Sequence, residues 1–288
     1  MISISAKTEV LIESLPYITR YEGKTFVIKY GGAAMVDEDL RETFAQDVTL
    51  LKKIGIRVAI VHGGGKEITD IASRLGLESR FVDGQRYTDE GMMEIVQMVL
   101  AGKTNKDIVA RINQHEGNAV GVCGIDGFLL RVRKLQSDGH DLGFVGEITE
   151  VNAGFLNLLL TNNCLPVIAP IGFNGGGHAY NVNADIAAAA IASALQAEKL
   201  VYLSDVEGVL ANGELVHSMI QEEGERLIQE RVISRGMIPK VRSAFDALHA
   251  GVNKVHMVDG RIKHSLLLEI FTDTGVGTEL VHAKSSPE

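Results

Sequence analysis

The chain has 288 residues, a net charge of −9 and 45% apolar residues. That length holds one large or two moderate domains with a full core, and the acidic balance argues against a general nucleic-acid binder. No apolar run approaches membrane-spanning length, no basic region followed by a hydrophobic block marks a secretory leader, and Cys123 and Cys164 read as reduced core thiols, so a cytoplasmic protein is expected.

Residues 6 to 21 predict a helix with Leu11, Leu15 and Ile18 on one stripe, which Pro16 should kink or break. Such a helix either caps the core or packs on another subunit. The first strand, from Phe26, carries Lys29 near its end and runs into Gly31-Gly32. A fixed positive charge and bare backbone N–H groups thus meet where a strand stops, as at an anion site. Leu40, Phe44, Val48 and Leu51 predict a helix ended by Gly55. Arg57 to Val61 reads as a buried parallel strand that empties into His62-Gly63-Gly64-Gly65, and a helix follows with Ile68, Ile71 and Leu75 inward. Two successive strands that end in glycines and enter helices give the pattern of a doubly wound sheet.

Asp83-Gly84 suggests a hairpin with Arg86 just past it. Helices are expected at 89–100 and 105–115, a strand at 119–123, an irregular β-rich section at 128–150, a helix near 153–162 and a strand from Leu165. After the Gly175-Gly176-Gly177 loop, Asn181, Asn183 and Asp185 alternate along an extended segment and share one face, with Asp185 placed to cap the alanine-dense helix beyond. From Lys199 the pattern restarts: a strand at 200–203, the Ser204–Gly208 loop, an Asn212-Gly213 hairpin, helices near 221–230 and 240–250, and a strand at 254–258. A helix through Glu269, the Gly275-Val276-Gly277 turn and a last strand close the chain. No linker separates the halves, so two lobes sharing one sheet are expected: an N-terminal helix at 1–24, a lobe at 25–196 and a lobe at 197–288. The fold class is α/β, a three-layer α-β-α sandwich around an open, mainly parallel sheet.

Both standard nucleotide fingerprints are missing. G-x-G-x-x-G fails at Ile68, Tyr180 and Leu280, and the Walker pattern fails because Glu67 follows Lys66 and Gln97 stands where Gly102-Lys103-Thr104 needs a glycine. The two glycine turns keep two readings, N–H groups converging on one anion or close helix–strand packing. Lys240 follows Pro239 in a first helical turn, where a cation opposes the helix dipole unless something anionic lies nearby.

Six segments in order resemble the acetylglutamate-phosphorylating branch of the amino acid kinase family: 28–32, 61–65, 84–88, 181–185, 203–208 and 236–241. The resemblance implies transfer of the γ-phosphoryl of ATP, with Mg2+ held through its phosphates and no protein metal site, to the side-chain carboxylate of N-acetyl-L-glutamate. It implies Lys29, Lys240 and Asp185 as catalytic residues, Gly31 and Gly32 on phosphate, and Gly64, Gly65, Arg86 and Asn181 on the acid. Ser204, Asp205 and Gly208 are implied on the nucleotide. The two ends of the chain resemble the branch inhibited by L-arginine, in which N-terminal helices interlace three dimers into a homohexamer. There Tyr17, His264, Glu269, Gly277 and Lys199 are the arginine candidates. Ala33 and Lys66 depart from the small polar residue and the proline common at these positions. The alternatives are a kinase of aspartate, glutamate or carbamate, or a catalytically idle arginine sensor on the same fold; neither a nucleic acid nor a membrane is expected as partner.

Overall fold

Strands of nearly continuous apolar sequence are those buried on both faces, and here they form the middle of the molecule. The computed structural model describes residues 4–82, 84–136, 141–233, 237–272 and 275–283. Asp83, Gly236 and the side chain of Leu11, each belonging to an expectation above, lie outside what it describes. The main sheet contains β1 (Thr25–Tyr30), β2 (Arg57–His62), β3 (Ala119–Cys123), β4 (Leu165–Ala169), β5 (Lys199–Ser204), β6 (Ser218–Met219), β7 (Lys254–Asp259) and β8 (Thr278–Val281). Their order is β6-β8-β7-β5-β1-β2-β4-β3. The β1–β2 and β1–β5 pairs are parallel, while β8 runs antiparallel to β7.

Alternation along the strands divides the core into two layers. Phe26, Ile28, Val58, Ile60, Val201 and Leu203 pack with Phe44, Val48 and Leu51 of the Glu38–Lys53 helix and Ile108 and Ile112 of the Asn105–Gln114 helix. Val27, Ala59, Val61, Leu200 and Tyr202 face the other way, onto the Ala184–Ala194 and Met237–His249 helices. This is the expected three-layer α-β-α arrangement. Each fully buried Phe, Ile or Leu contributes roughly 1.5–3 kcal/mol. The alanines of the Ala184–Ala194 helix let it lie close against β1, β2 and β5, which brings its first turn to the carboxyl ends of those strands. A smaller four-stranded sheet (Leu130–Lys134, Gly146–Val151, Ile171–Phe173 and Ala179–Asn181) stands beside the main one.

Several local expectations change. Pro16 lies inside one unbroken helix, Ile4–Tyr21. Leu75 caps the Gly65–Arg74 helix from outside and is 61% exposed. The expected break near residue 102 is absent: a π-helical stretch, Met98–Thr104, joins Glu90–Gln97 to Asn105–Gln114. Its wider hydrogen-bonded turns carry the chain past Gly102 without interruption.

Candidate active site

The carboxyl ends of β1, β2 and β5 open on one cleft, where open parallel sheets gather ligands. Lys29 shares the face of Val27, toward the Ala184–Ala194 helix, and its Nζ lies 3.0 Å from Asp185 Oδ1. Lys240 approaches from the other side and donates to Asp185 Oδ2 at 2.7 Å. One carboxylate therefore holds two ammonium groups. Burial raises the Asp185 carboxyl, but the two lysines outweigh it and hold it below the ordinary carboxylate value.

The expected cap is corrected here. Asn183, not Asp185, caps the helix, accepting from the N–H groups of Asp185 at 2.8 Å and Ile186 at 3.2 Å. The extended alternation thus ends at Asn183, and Asp185 sits in the first helical turn with its carboxylate free for the lysines. Lys240 occupies the first turn of the Met237–His249 helix, with Pro239 at its third residue, and Asp185 is the anion that offsets the dipole there.

Both glycine turns border this pair. Gly31 has extended backbone, and a Cβ there would collide with Lys29 Nζ. Gly64 has φ +152°, and its missing Cβ would stand 2.5 Å from Leu100. Gly64 also caps the Gly65–Arg74 helix, so unpaired N–H groups and the positive end of that helix face the cleft. From here a cavity of about 180 Å³ runs to Arg86 and Asn181. Arg86 is buried and donates to the Gly65 carbonyl at 2.7 Å, Thr69 Oγ1 at 2.9 Å and Ser79 Oγ at 2.5 Å. The centroid of the Phe81 ring lies 4.7 Å from the Arg86 guanidinium carbon. Asn181 Nδ2 donates to Thr88 Oγ1 at 3.3 Å.

On the other flank, Ser204 is buried at the end of β5, and its carbonyl accepts from Gly260 N–H at 2.9 Å. Asp205 reaches across to the first glycine turn, where its Oδ1 accepts from Ala33 N–H. Gly208 packs against Thr278. Lys66 is exposed. Among the described residues, no group of three or more His, Cys, Asp or Glu could hold a metal ion.

A second cavity, about 410 Å³, lies between the Ile4–Tyr21 helix and the turn after the Ser265–Phe271 helix. Tyr17, Lys199 and Glu269 line it. Gly277 stands behind, its N–H donating to Glu269 Oε2 at 2.9 Å beside that of Val276 at 2.7 Å. His264 does not belong to this group. It takes a left-handed conformation before the last helix and pairs with Asp47 Oδ1 at 2.6 Å, in a separate small cavity. Sequence reasoning missed His256, whose Nδ1 meets Glu269 Oε1 at 2.7 Å and whose Nε2 meets Lys199 Nζ at 2.7 Å. It also missed Arg20 and Glu279, which line the same cavity. A histidine inside the apolar run of β7 was the available signal for His256. Burial pushes Lys199 down to about 8 and lowers His256.

The model of the amino acid kinase family matches residues 24–259. The chain is 53% identical to the acetylglutamate kinase of Aquifex aeolicus, covering 95% of this chain and 97% of that one. It is 54% identical to that of Chlorobaculum tepidum, covering 95% of each. Among solved structures, the N-acetylglutamate synthase of Neisseria gonorrhoeae complexed with coenzyme A and N-acetyl-glutamate is 28% identical with a TM-score of 0.88, over 99% of this chain. The match spans only 65% of that longer protein. The same synthase complexed with L-arginine superposes with a TM-score of 0.82 at 27% identity, over 97% of this chain and 66% of that one.

Proposed function

The chain belongs to the amino acid kinase family, and from that premise we propose how its cleft performs the reaction of its acetylglutamate kinase relatives. The protein is an ATP-dependent kinase of the side-chain carboxylate of N-acetyl-L-glutamate, a step of arginine biosynthesis. A carboxylate nucleophile has an ordinary pKa near 4.3 and is ionised at neutral pH, so the reaction needs no general base. The obstacle is the approach of one anion to another in line, and the remedy is fixed positive charge and N–H donors around a loose phosphoryl.

The observation that carries this reading is the Lys29–Asp185–Lys240 bridge, whose carboxylate directly follows Asn183 and Ala184 of the acid-cavity lining. In our assignment Lys29 and Lys240 hold the phosphoryl in flight, and Asp185 fixes both amines. Gly31 and Gly32 meet phosphate, while Gly64 and Gly65 meet the reacting carboxylate. Arg86 and Asn181 hold the α-carboxylate and the acetamido end. Ser204, Asp205 and Gly208 border the nucleotide, which places acid binding in 25–196 and ATP binding in 197–288. Mg2+ would arrive on the phosphates of ATP and shield their charge.

The test is a coupled ADP-release assay on acetylglutamate, glutamate, aspartate and carbamate, repeated with added arginine. Activity on acetylglutamate alone is expected; turnover of glutamate but not its acetylated form would overturn the substrate assignment, and arginine binding without turnover would leave the sensor.

A second reading rests on the cavity at Tyr17, Lys199 and Glu269. We assign it to L-arginine as feedback inhibitor, with the Glu269 carboxylate facing the guanidinium and Gly277 fixing that carboxylate. Because the N-terminal helix forms one wall, and Ile12 and Leu15 on it are 64% and 58% exposed, the same helix would join copies of this chain into a cytoplasmic homohexamer, a trimer of dimers. His264 would act there only through Asp47 and the start of the last helix.

A further inference from the structure

We infer that His62 is a positioning residue for the reaction, aiming the Gly64 N–H into the cleft through the Gly63 carbonyl, with Asn105 setting its tautomer. His62 is wholly buried at the end of β2, and none of its atoms lines the acid cavity. In the β1–β2 register it stands opposite Tyr30, one place beyond the pair of Lys29 and Val61. Successive residues point to opposite faces, so His62 lies on the face away from Lys29.

Four contacts hold Asn105, itself fully buried, the longest from its Nδ2 to the Val122 carbonyl at 3.5 Å. Its Oδ1 accepts from Lys106 Nζ at 3.2 Å, which makes the other amide atom the nitrogen. That Nδ2 donates to the Val167 carbonyl at 2.9 Å and lies 3.2 Å from His62 Nε2. An amide nitrogen can only donate, so Nε2 accepts and the ring proton belongs to Nδ1. Nδ1 lies 2.7 Å from the Gly63 carbonyl and donates to it. Burial pushes the imidazole down to about 4, so it stays neutral, with this one tautomer, at physiological pH. In a trans peptide the carbonyl and the next N–H point opposite ways. Drawing the Gly63 carbonyl toward His62 turns the Gly64 N–H toward the face of Lys29 and Asp185. The π-helical stretch Met98–Thr104 ends immediately before Asn105 and delivers it to this spot.

The inference rests on the assignment of Gly64 and Gly65 to the reacting carboxylate. Two substitutions separate the ring atoms. His62→Asn keeps a donor where Nδ1 stands; His62→Gln keeps a polar atom where Nε2 stands and loses the bond to the Gly63 carbonyl. His62→Gln should lower kcat/KM for acetylglutamate about tenfold or more with KM for ATP unchanged, and His62→Asn should recover most of that loss. Equal behaviour of the two variants would overturn the inference, as would a reduced active fraction with unchanged kinetic constants, the mark of a purely structural role. Arg86→Lys supplies the independent arm. If it leaves KM for acetylglutamate unaltered, the acid-site assignment is at fault, whereas the contrast between the His62 variants still judges the positioning.

Discussion

Asp185 offers two oxygens, and each has its own lysine. Lys29→Ala and Lys240→Ala should each lower turnover by roughly 10²–10³-fold or more while circular dichroism shows the fold intact; near-normal turnover in either would sink its role. Asp185→Asn keeps the shape but leaves two cations facing one another, and turnover should fall comparably. The lysines depress the Asp185 carboxyl, so its stabilising contribution is present above the unfolded value near 4 and is lost as pH falls through the folded value. In acid titrations the stability gap between the parent and Asp185→Asn should therefore close below pH ~4. Lys199 has a linkage of the same sign in a higher pH window, although here burial costs stability rather than supplying it. Its ammonium is pushed from 10.5 to about 8 by burial, so the unfolded chain binds the extra proton between those values. Across that window the parent should gain stability relative to Lys199→Met as pH rises, by up to about 3 kcal/mol, as read from denaturant unfolding at each pH.

At the scale of elements, two tyrosines of the Ile4–Tyr21 helix touch the body. Tyr17 meets Phe271 edge-on at 6.3 Å between ring centroids, and Tyr21 meets Phe26 at 5.2 Å. None of the residues assigned to the phosphoryl cleft is on it. Deleting residues 1–20 should abolish arginine inhibition and shrink the oligomer in light scattering while catalysis persists; unchanged inhibition would break the link between helix and inhibitor. The glycine turns and strand ends were legible from sequence because each depends on neighbours in the chain. The Asn183 cap was not, since Asn183 and Asp185 are both good capping residues and tertiary contact with two lysines decided which one stayed outside the helix. His264 was misplaced for a similar reason: its partner Asp47 is far away in sequence, and only the packing of two helices reveals it. The cavity formed by Lys199, His256 and Glu269 joins two strands and a helix, so periodicity could mark Lys199 and Glu269 only singly.

For the whole molecule, the main sheet crosses the boundary between the proposed lobes. β1 is paired on one side with β2 and on the other with β5, where Val27 stands beside Leu200. A fragment of residues 25–196 would expose the β1 edge and the apolar layer above it, an aggregation-prone surface. The full chain should unfold in one transition by calorimetry and circular dichroism, and the fragment should elute as aggregate; a monomeric, cooperatively folded fragment would show that the lobes are independent. The sheet order itself, with β8 running antiparallel at one side, was beyond sequence reading. Strand order is chosen by packing between distant segments, whereas strand existence is set by local pattern.

The bridge at Asp185 also makes the molecule's chemistry answer to its posture. Lys29 rides on β1 and Lys240 on the Met237–His249 helix, and the single carboxylate between them is their shared tether. Any swing that carries this helix away from β1 must first pull an ammonium off that carboxylate. On the proposed roles of the two lysines, a gaping protein is therefore an electrically disarmed one, unfit to hold a phosphoryl in flight, and the two conditions change together without a separate switch.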